Sequence, residues 1–145
     1  MKDLPQFLLD SVNSGVYAAP ASITPLKQAA LACGLAWFEV DLTGVSGKAA
    51  FLARCQTAFG LPPSFGHNWD ALADSLADLS WQPACGYVAW CRNGKAFARD
   101  AAEESEVALD ILAAAATYWR AKGKVFMVLL DAKTRAGRKL KLLPA

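Results

Sequence analysis

Three aspartates recur at every fourth position in the middle of the chain: Asp70, Asp74 and Asp78. Residues 60–80 contain these three acids and no Lys or Arg. Carboxylates at this spacing lie close together on one face of a helix, each rotated by only about 40° from the last. Such a row can bind a divalent cation, exchange protons as an acid–base pair, or pair with the cations of a binding partner.

Residues 68–79 are predicted to form the helix that carries this row. Asn68 is a suitable N-cap, and Pro83 prevents the helix from continuing far beyond its predicted end. The apolar positions follow the 3, 4, 3 spacing of a stripe that faces the core: Trp69, Leu72, Leu76 and Leu79. The aspartates therefore occupy a different face of the same helix.

A solvated helix face is the ordinary explanation of such a charge row. However, like charges four residues apart destabilise a helix by roughly 0.2–0.5 kcal/mol per pair, and no basic residue in this segment offsets them. The helix dipole favours Asp70 in the first turn but disfavours Asp78 at the end. The unbalanced row therefore favours a surface that receives a positively charged partner.

Metal-binding and catalytic alternatives have less support in the sequence. Hard cations usually take oxygens from several segments, and the single histidine, His67, is more typical of a turn beside a helix cap than of a catalyst. The four cysteines include no Cys-x-x-Cys pair, and we interpret them as reduced thiols: Cys33, Cys55, Cys85 and Cys91. We expect no enzyme activity, metal or cofactor, and a hydrolase using a Cys or Ser with His67 is the last alternative.

The composition is that of a single folded domain. The chain has 145 residues, of which 54% are hydrophobic and 19% are charged, which excludes a disordered adaptor. A net charge of +2 is too small to indicate nucleic-acid binding by the whole molecule. The first residues contain no long apolar stretch, so we expect no secretory signal, and no run approaches the ~18 apolar residues that span a bilayer. We expect a cytoplasmic protein with no membrane partner and no direct nucleic-acid partner.

Strands and helices alternate along the rest of the chain. Residues 35–42, 86–91 and 125–130 are predicted strands, and residues 22–33, 46–59 and 100–122 are predicted helices. This alternation predicts an α/β fold with a mainly parallel sheet covered by helices. Residues 125–130 are apolar at every position, which indicates a strand buried on both faces. Asp100 and Glu103 have the spacing of a capping box for the last helix.

The segment Pro62-x-x-Phe65-Gly66-x-Asn68-Trp69-Asp70-Ala71-Leu72 resembles the signature of the barstar family, which are intracellular inhibitors of barnase-type ribonucleases. An Asp four residues further on, here Asp74, belongs to the same signature. The resemblance extends more loosely over residues 36–130. Residues 1–35 are then an N-terminal extension of helix, short strand and helix packed on the domain, and residues 131–145 are a basic C-terminal tail. The resemblance implies a small parallel sheet in the order 1-2-3. Residues 15–19 could add an N-terminal edge strand to this sheet.

The resemblance also implies a function and its residues. The acidic helix and the loop before it would occlude the active site of a basic ribonuclease, as in an immunity-type protein, with Asp74 as the central phosphate mimic. This sequence departs from the family at several contact positions: Ser64 and Ala73 replace aromatic residues, and Tyr118 and Lys122 replace acids. The partner therefore need not be barnase itself.

We predict that the interface centres on the three aspartates. Its other members are Ser64, His67, Ala73, Ala77 and Tyr118. The main alternative is a binding module on the same scaffold that docks another basic partner without inhibiting a nuclease. A further alternative is binding of nucleic acid or an anionic surface through the basic residues of the tail: Lys133, Arg135, Arg138, Lys139 and Lys141.

Overall fold

The computed structural model describes residues 4–131, 134–135 and 138–144. The main elements in chain order are α1 (Leu4–Leu9), a 3-10 turn (Ser11–Asn13), β1 (Gly15–Ala18), α2 (Thr24–Ala32), β2 (Ala36–Asp41), α3 (Lys48–Phe59), α4 (Trp69–Leu76), β3 (Gly86–Arg92), α5 (Lys95–Asp100), α6 (Ala102–Ala121) and β4 (Val125–Leu130). A short antiparallel pair of strands follows, β5 (Thr134–Arg135) and β6 (Arg138–Lys139).

The four long strands form one parallel sheet in the order β1-β4-β3-β2. Strands β2, β3 and β4 lie side by side in chain order, which confirms the predicted 1-2-3 arrangement of the family sheet. The N-terminal strand β1 adds a fourth strand beside β4, with Gly15 opposite Met127 and Ala18 opposite Leu130. Every residue of β4 is buried, as its continuous apolar composition predicts.

The sheet separates two hydrophobic clusters. On one face, α3, α4 and α6 pack around Phe51, Leu72 and Tyr87. On the other face, α1 and α2 pack through Leu8 and Leu26. This helix–sheet–helix arrangement is the mixed α/β architecture that the alternation of elements predicts. Within the described residues, no helix is both long enough and apolar enough to cross a membrane.

The predicted capping box at the start of α6 is wrong. Ala101 precedes that helix and makes no side-chain capping bond. The Asp100 carboxylate instead pairs with Arg99, with an Oδ1–Nε distance of 2.8 Å. The cause is helix α5, which the sequence patterns did not reveal, because Asp100 is its last residue rather than the residue before α6.

Lys141, near the C-terminus, pairs with the outer edge of β1. The Lys141 backbone N–H donates to the Val16 carbonyl at 3.2 Å, and its carbonyl accepts from the Ala18 N–H at 2.8 Å. The Lys141 ammonium donates to the Ser14 carbonyl at 3.3 Å and lies 5.7 Å from the Tyr17 ring centroid. This residue of the basic tail is therefore engaged within the molecule. Lys133 lies outside the described residues.

Candidate functional site

The loop over residues 61–68 leads into α4 through a compact turn. The Phe65 N–H donates to the Pro62 carbonyl at 2.9 Å, and the Phe65 side chain is buried beneath the loop. The ring of His67 lies 4.9 Å from that of Phe65, and its Nδ1 is 3.0 Å from the Phe65 carbonyl oxygen. His67 adopts a left-handed backbone, with φ at 52°. Its side chain therefore contacts residues of the turn while it remains exposed.

Asn68 caps the N-terminus of α4, as predicted. Its Oδ1 accepts from the Ala71 N–H at 2.8 Å, and its Nδ2 donates to the Gly66 carbonyl at 3.3 Å. A Cβ at Gly66 would lie only 3.1 Å from that Nδ2, so a larger residue there would require the Asn68 side chain to shift. These residues of the signature therefore have structural roles as turn and cap.

The apolar stripe of α4 holds the helix against the core. Leu72 and Leu76 are fully buried. Trp69 is half-buried, with its ring 5.9 Å from that of Phe51 and the ammonium of Lys48 5.5 Å from its centroid. The cap at one end and these contacts along one side make α4 a rigid support for its exposed residues.

Helix α4 ends at Leu76, three residues before its predicted end. Ala77 is the C-cap, and Leu79 turns the chain with a left-handed φ of 50° while its side chain stays buried. Asp78 therefore lies in the turn after the helix, where its Oδ2 accepts from the Ser80 hydroxyl at 3.3 Å. The predicted row of three aspartates on one helix is wrong at this position, because the chain leaves helical geometry where Leu79 enters the core.

Asp70 and Asp74 remain on α4, one helical turn apart, and both side chains are exposed. In the described part of the chain, no ion pair involves either of them or Asp78. The ion pairs there join Lys27 and Arg92 to Glu39, and Arg99 to Asp100. The charge of α4 is therefore available to cations outside the chain.

The last turns of α6 border this acidic surface. The indole Nε1 of Trp119 donates to the Leu76 carbonyl at 2.7 Å in a buried hydrogen bond. Tyr118 is 39% exposed, its ring meeting that of Trp119 edge-on at 5.3 Å. The Lys122 ammonium lies 5.6 Å from the Tyr118 ring centroid.

Tyr87 connects Asp78 to this same region. The Tyr87 ring lies 5.1 Å from that of Trp119. Burial raises the pKa of Tyr87, and the negative charge of Asp78 adds to this increase. The turn after α4 and the end of α6 therefore share one aromatic cluster, although they are far apart in sequence.

The predicted interface residues lie in three segments, which are the loop before α4, α4 with the turn after it, and the last turns of α6. Ser64 and His67 are exposed in the loop before α4, Ala73 is half-buried on the helix, and Ala77 is its C-cap. Trp119, whose hydrogen bond positions the end of α4, was not among the predicted interface residues. Its place in the apolar stripe of α6 indicates a packing residue, but no local pattern identifies its partner.

The described residues show no group of three or more His, Cys, Asp or Glu side chains that could hold a metal ion. The buried thiol of Cys55 is also unsuited to nucleophilic chemistry. Burial raises its pKa well above the usual value, and the nearby Cys91 raises it further.

The fold and this surface define a mixed α/β protein whose exposed acidic helix is suited to binding cations of a partner. The family model described as Barstar (barnase inhibitor) matches residues 35–131, well over half of the chain. The chain belongs to the barstar family, which is a family of inhibitors, and the resemblance found in the sequence is confirmed. No curated protein matches the sequence.

Proposed function

We propose that this protein inhibits a ribonuclease by covering its active site with α4 and the loop over residues 61–68. The observation that carries the proposal is the pair of exposed carboxylates, Asp70 and Asp74, on a rigid helix without counter-ions among the described residues. A ribonuclease must bind the phosphates of RNA through cationic groups. Carboxylates that reach the same groups form charge-assisted hydrogen bonds and exclude the substrate.

Rigidity of α4 favours tight binding. The Asn68 cap, the buried Leu72 and Leu76, and the hydrogen bond from Trp119 hold the helix before any partner arrives. Little conformational entropy is then lost when the complex forms. Asp74, in the middle of the helix, is the central phosphate mimic of this proposal.

The surroundings of the carboxylates form the rest of the interface. Tyr118 provides a partly exposed aromatic side chain, and such residues often contribute strongly to binding. The remaining members of the proposed interface lie in the loop before α4, on α4 or in the turn after it: Ser64, His67, Ala73, Ala77 and Asp78. Small side chains at Ala73 and Ala77 allow a partner to approach the helix closely.

Inhibition of this kind needs no chemical step. The inhibitor would act in the cytoplasm, where it protects cellular RNA from a basic ribonuclease that the cell secretes or that a neighbouring cell delivers. Electrostatic attraction between α4 and the cationic cleft would speed association and weaken as salt rises.

A capture experiment followed by an RNA-cleavage assay tests the proposal. Wild type, Asp74→Ala and Glu106→Ala are immobilised and incubated with lysate and with concentrated culture medium. Glu106→Ala is the matched control, because it removes an exposed carboxylate three turns before Tyr118 on α6. Wild type and the control should retain a ribonuclease and block its activity. Asp74→Ala should bind it at least about tenfold more weakly, as expected when a charged hydrogen-bonding group is lost.

Two results would contradict the proposal. If Asp74→Ala retains the same ribonuclease as strongly as wild type, α4 is not the inhibitory surface. If wild type retains a basic protein without nuclease activity, the chain is a binding module on the barstar scaffold. Thermal unfolding of each variant establishes that Asp74→Ala is folded.

A further inference from the structure

Lys122 places one cation at the end of α6, which packs beside the end of the acidic helix α4. It is the C-cap of α6, and its side chain is exposed. Three residues earlier, Trp119 donates its hydrogen bond to the Leu76 carbonyl, so the end of α6 lies beside the end of α4. The surface is therefore acidic along α4 and basic at the end of α6.

The neighbouring Lys124, in contrast to Lys122, is engaged within the fold. Its ammonium donates to the Ala84 carbonyl at 2.8 Å and lies 5.9 Å and 5.8 Å from the ring centroids of Tyr87 and Trp119. In the described part of the chain the Lys122 ammonium has no carboxylate partner and contacts only the exposed Tyr118 ring. A lysine at a helix C-terminus stabilises the helix by interacting with the negative end of its dipole. This interaction leaves the ammonium available to a partner.

A partner that covers α4 and Tyr118 also covers Lys122. If that partner offers only cations, Lys122 is brought against like charge and loses its water without gaining a counter-ion, which disfavours the complex. A carboxylate at the matching position would instead pair with Lys122 while the cations of the cleft meet Asp70 and Asp74. Complementarity therefore requires a partner with both signs of charge.

Building on the proposed function, we propose that Lys122 determines which ribonuclease is bound, and that the target carries an acidic side chain at the rim of its cationic cleft. Lys122 acts against ribonucleases whose rim is uniformly basic and in favour of one with this carboxylate. Specificity then arises from a repulsive element as well as an attractive one.

Barnase, the ribonuclease in the family's description, is the probe for a first test. Its affinity is measured at low salt for wild type, Lys122→Glu, Lys122→Ala and Arg120→Ala. Lys122→Glu should bind at least about tenfold more tightly than wild type because the surface becomes uniformly acidic, and Lys122→Ala should be intermediate. Arg120→Ala is the matched control, since it removes an exposed cation from the same last turn, and should change the affinity less than about twofold.

Barnase variants with single Lys→Glu or Arg→Glu changes around the cleft test the partner's side. At least one such variant should bind wild type more tightly and Lys122→Glu more weakly than unmodified barnase does. The inference is overturned if Lys122→Glu binds barnase no more tightly than wild type, or if no barnase variant shows these opposite changes.

Asp74→Ala in the same titrations separates the two proposals. If Asp74→Ala weakens binding but the Lys122 variants change nothing, the inhibitory role of α4 stands and the role of Lys122 is wrong. If the Lys122 variants respond but Asp74→Ala does not, or if bound barnase still cleaves RNA, the proposed inhibition through α4 is wrong. If barnase binds none of the variants, removing the positive charge of Lys122 does not allow a cationic cleft to bind. The inference then fails.

Discussion

Trp119 on α6 satisfies a backbone carbonyl at the end of the acidic helix: its indole Nε1 lies 2.7 Å from the Leu76 oxygen. The last four carbonyls of any helix lack partners within that helix. Here a side chain from another helix supplies one, 43 positions along the chain. The position of α4, and with it the direction of Asp74, therefore depends on α6.

Trp119→Phe tests this hydrogen bond. The substitution keeps an aromatic ring in the core but leaves the Leu76 carbonyl without its donor, which should lower the free energy of unfolding by about 1–3 kcal/mol. Urea denaturation followed by circular dichroism measures the change. Tyr118→Phe is the control, because it removes only an exposed hydroxyl and should alter stability by less than about 0.5 kcal/mol. Equal stability of Trp119→Phe and wild type would show that the bond contributes nothing.

Asn68→Ala should destabilise the protein through loss of the α4 cap. The Asn68 side chain accepts from the Ala71 N–H, and a cap of this kind contributes about 1 kcal/mol. Asn68→Asp keeps an acceptor at the same position and should retain most of the stability. Chemical denaturation of the three proteins compares them. An Asp variant as unstable as the Ala variant would mean that Asn68 acts through its Nδ2 bond to Gly66 instead.

Stability should depend on acidic pH through Asp41 at the end of β2. Its carboxylate accepts from the hydroxyl and the N–H of Thr43 and from the Asn93 amide. These bonds, with that from the Thr43 hydroxyl the largest cause, lower the pKa of Asp41 from 3.8 to about 2.

A carboxyl whose pKa is lowered in the folded state adds stability that is fully present above its unfolded pKa of about 3.9 and is lost as the pH falls through the folded value. Wild type should therefore be more stable than Asp41→Asn at pH 7, and the difference should shrink between pH 4 and pH 2. Urea denaturation at a series of pH values measures it. A difference that stays constant down to pH 2 would contradict this role of Asp41.

At Gly123 the energetic cost of a left-handed backbone can be measured without a steric clash from a new side chain. The φ of Gly123 is +80°, and among the described residues no heavy atom other than those of Gly123 and its chain neighbours lies within 4 Å of where a Cβ would be placed. Gly123→Ala should therefore cost about 1 kcal/mol from the left-handed backbone alone. Gly123→Asn should cost less, since Asn tolerates this conformation better. Thermal unfolding ranks the variants, and an Ala variant as stable as the Asn variant would contradict the assignment.

The repulsion between Asp70 and Asp74 should lower the free energy of unfolding of the wild type by a measurable amount. Asp74→Asn removes a like-charge pair one turn apart and should raise the free energy of unfolding by about 0.2–0.5 kcal/mol at low salt. The gain should disappear at 1 M salt, where charges are screened within about 3 Å. Denaturation at the two salt concentrations compares the proteins. A loss of stability at low salt would show that Asp74 has an intramolecular role in addition to its proposed one in binding.

Features that depend on neighbours within one or two turns could be predicted from the sequence. Asn68 caps α4 by accepting from a residue three positions away, and the spacing of Leu72 and Leu76 places both in the core. The apolar run of β4 indicates burial on both faces. The alternation of strands and helices then leaves few topologies, and the signature around Asp70 indicates the family.

Contacts between distant segments could not be predicted in the same way. Asp78 lies outside α4 because Leu79 is buried by residues from the rest of the core, and Asp100 ends a helix that no sequence pattern revealed. The hydrogen bond from Trp119 to Leu76 joins two helices that are far apart in sequence and pack together on one face of the sheet. Residue spacing shows which side chains share a face of one helix or strand, because the backbone of each element repeats with a fixed period. Packing of the whole chain sets which elements meet, and hence where the acidic helix ends and which cation lies beside it.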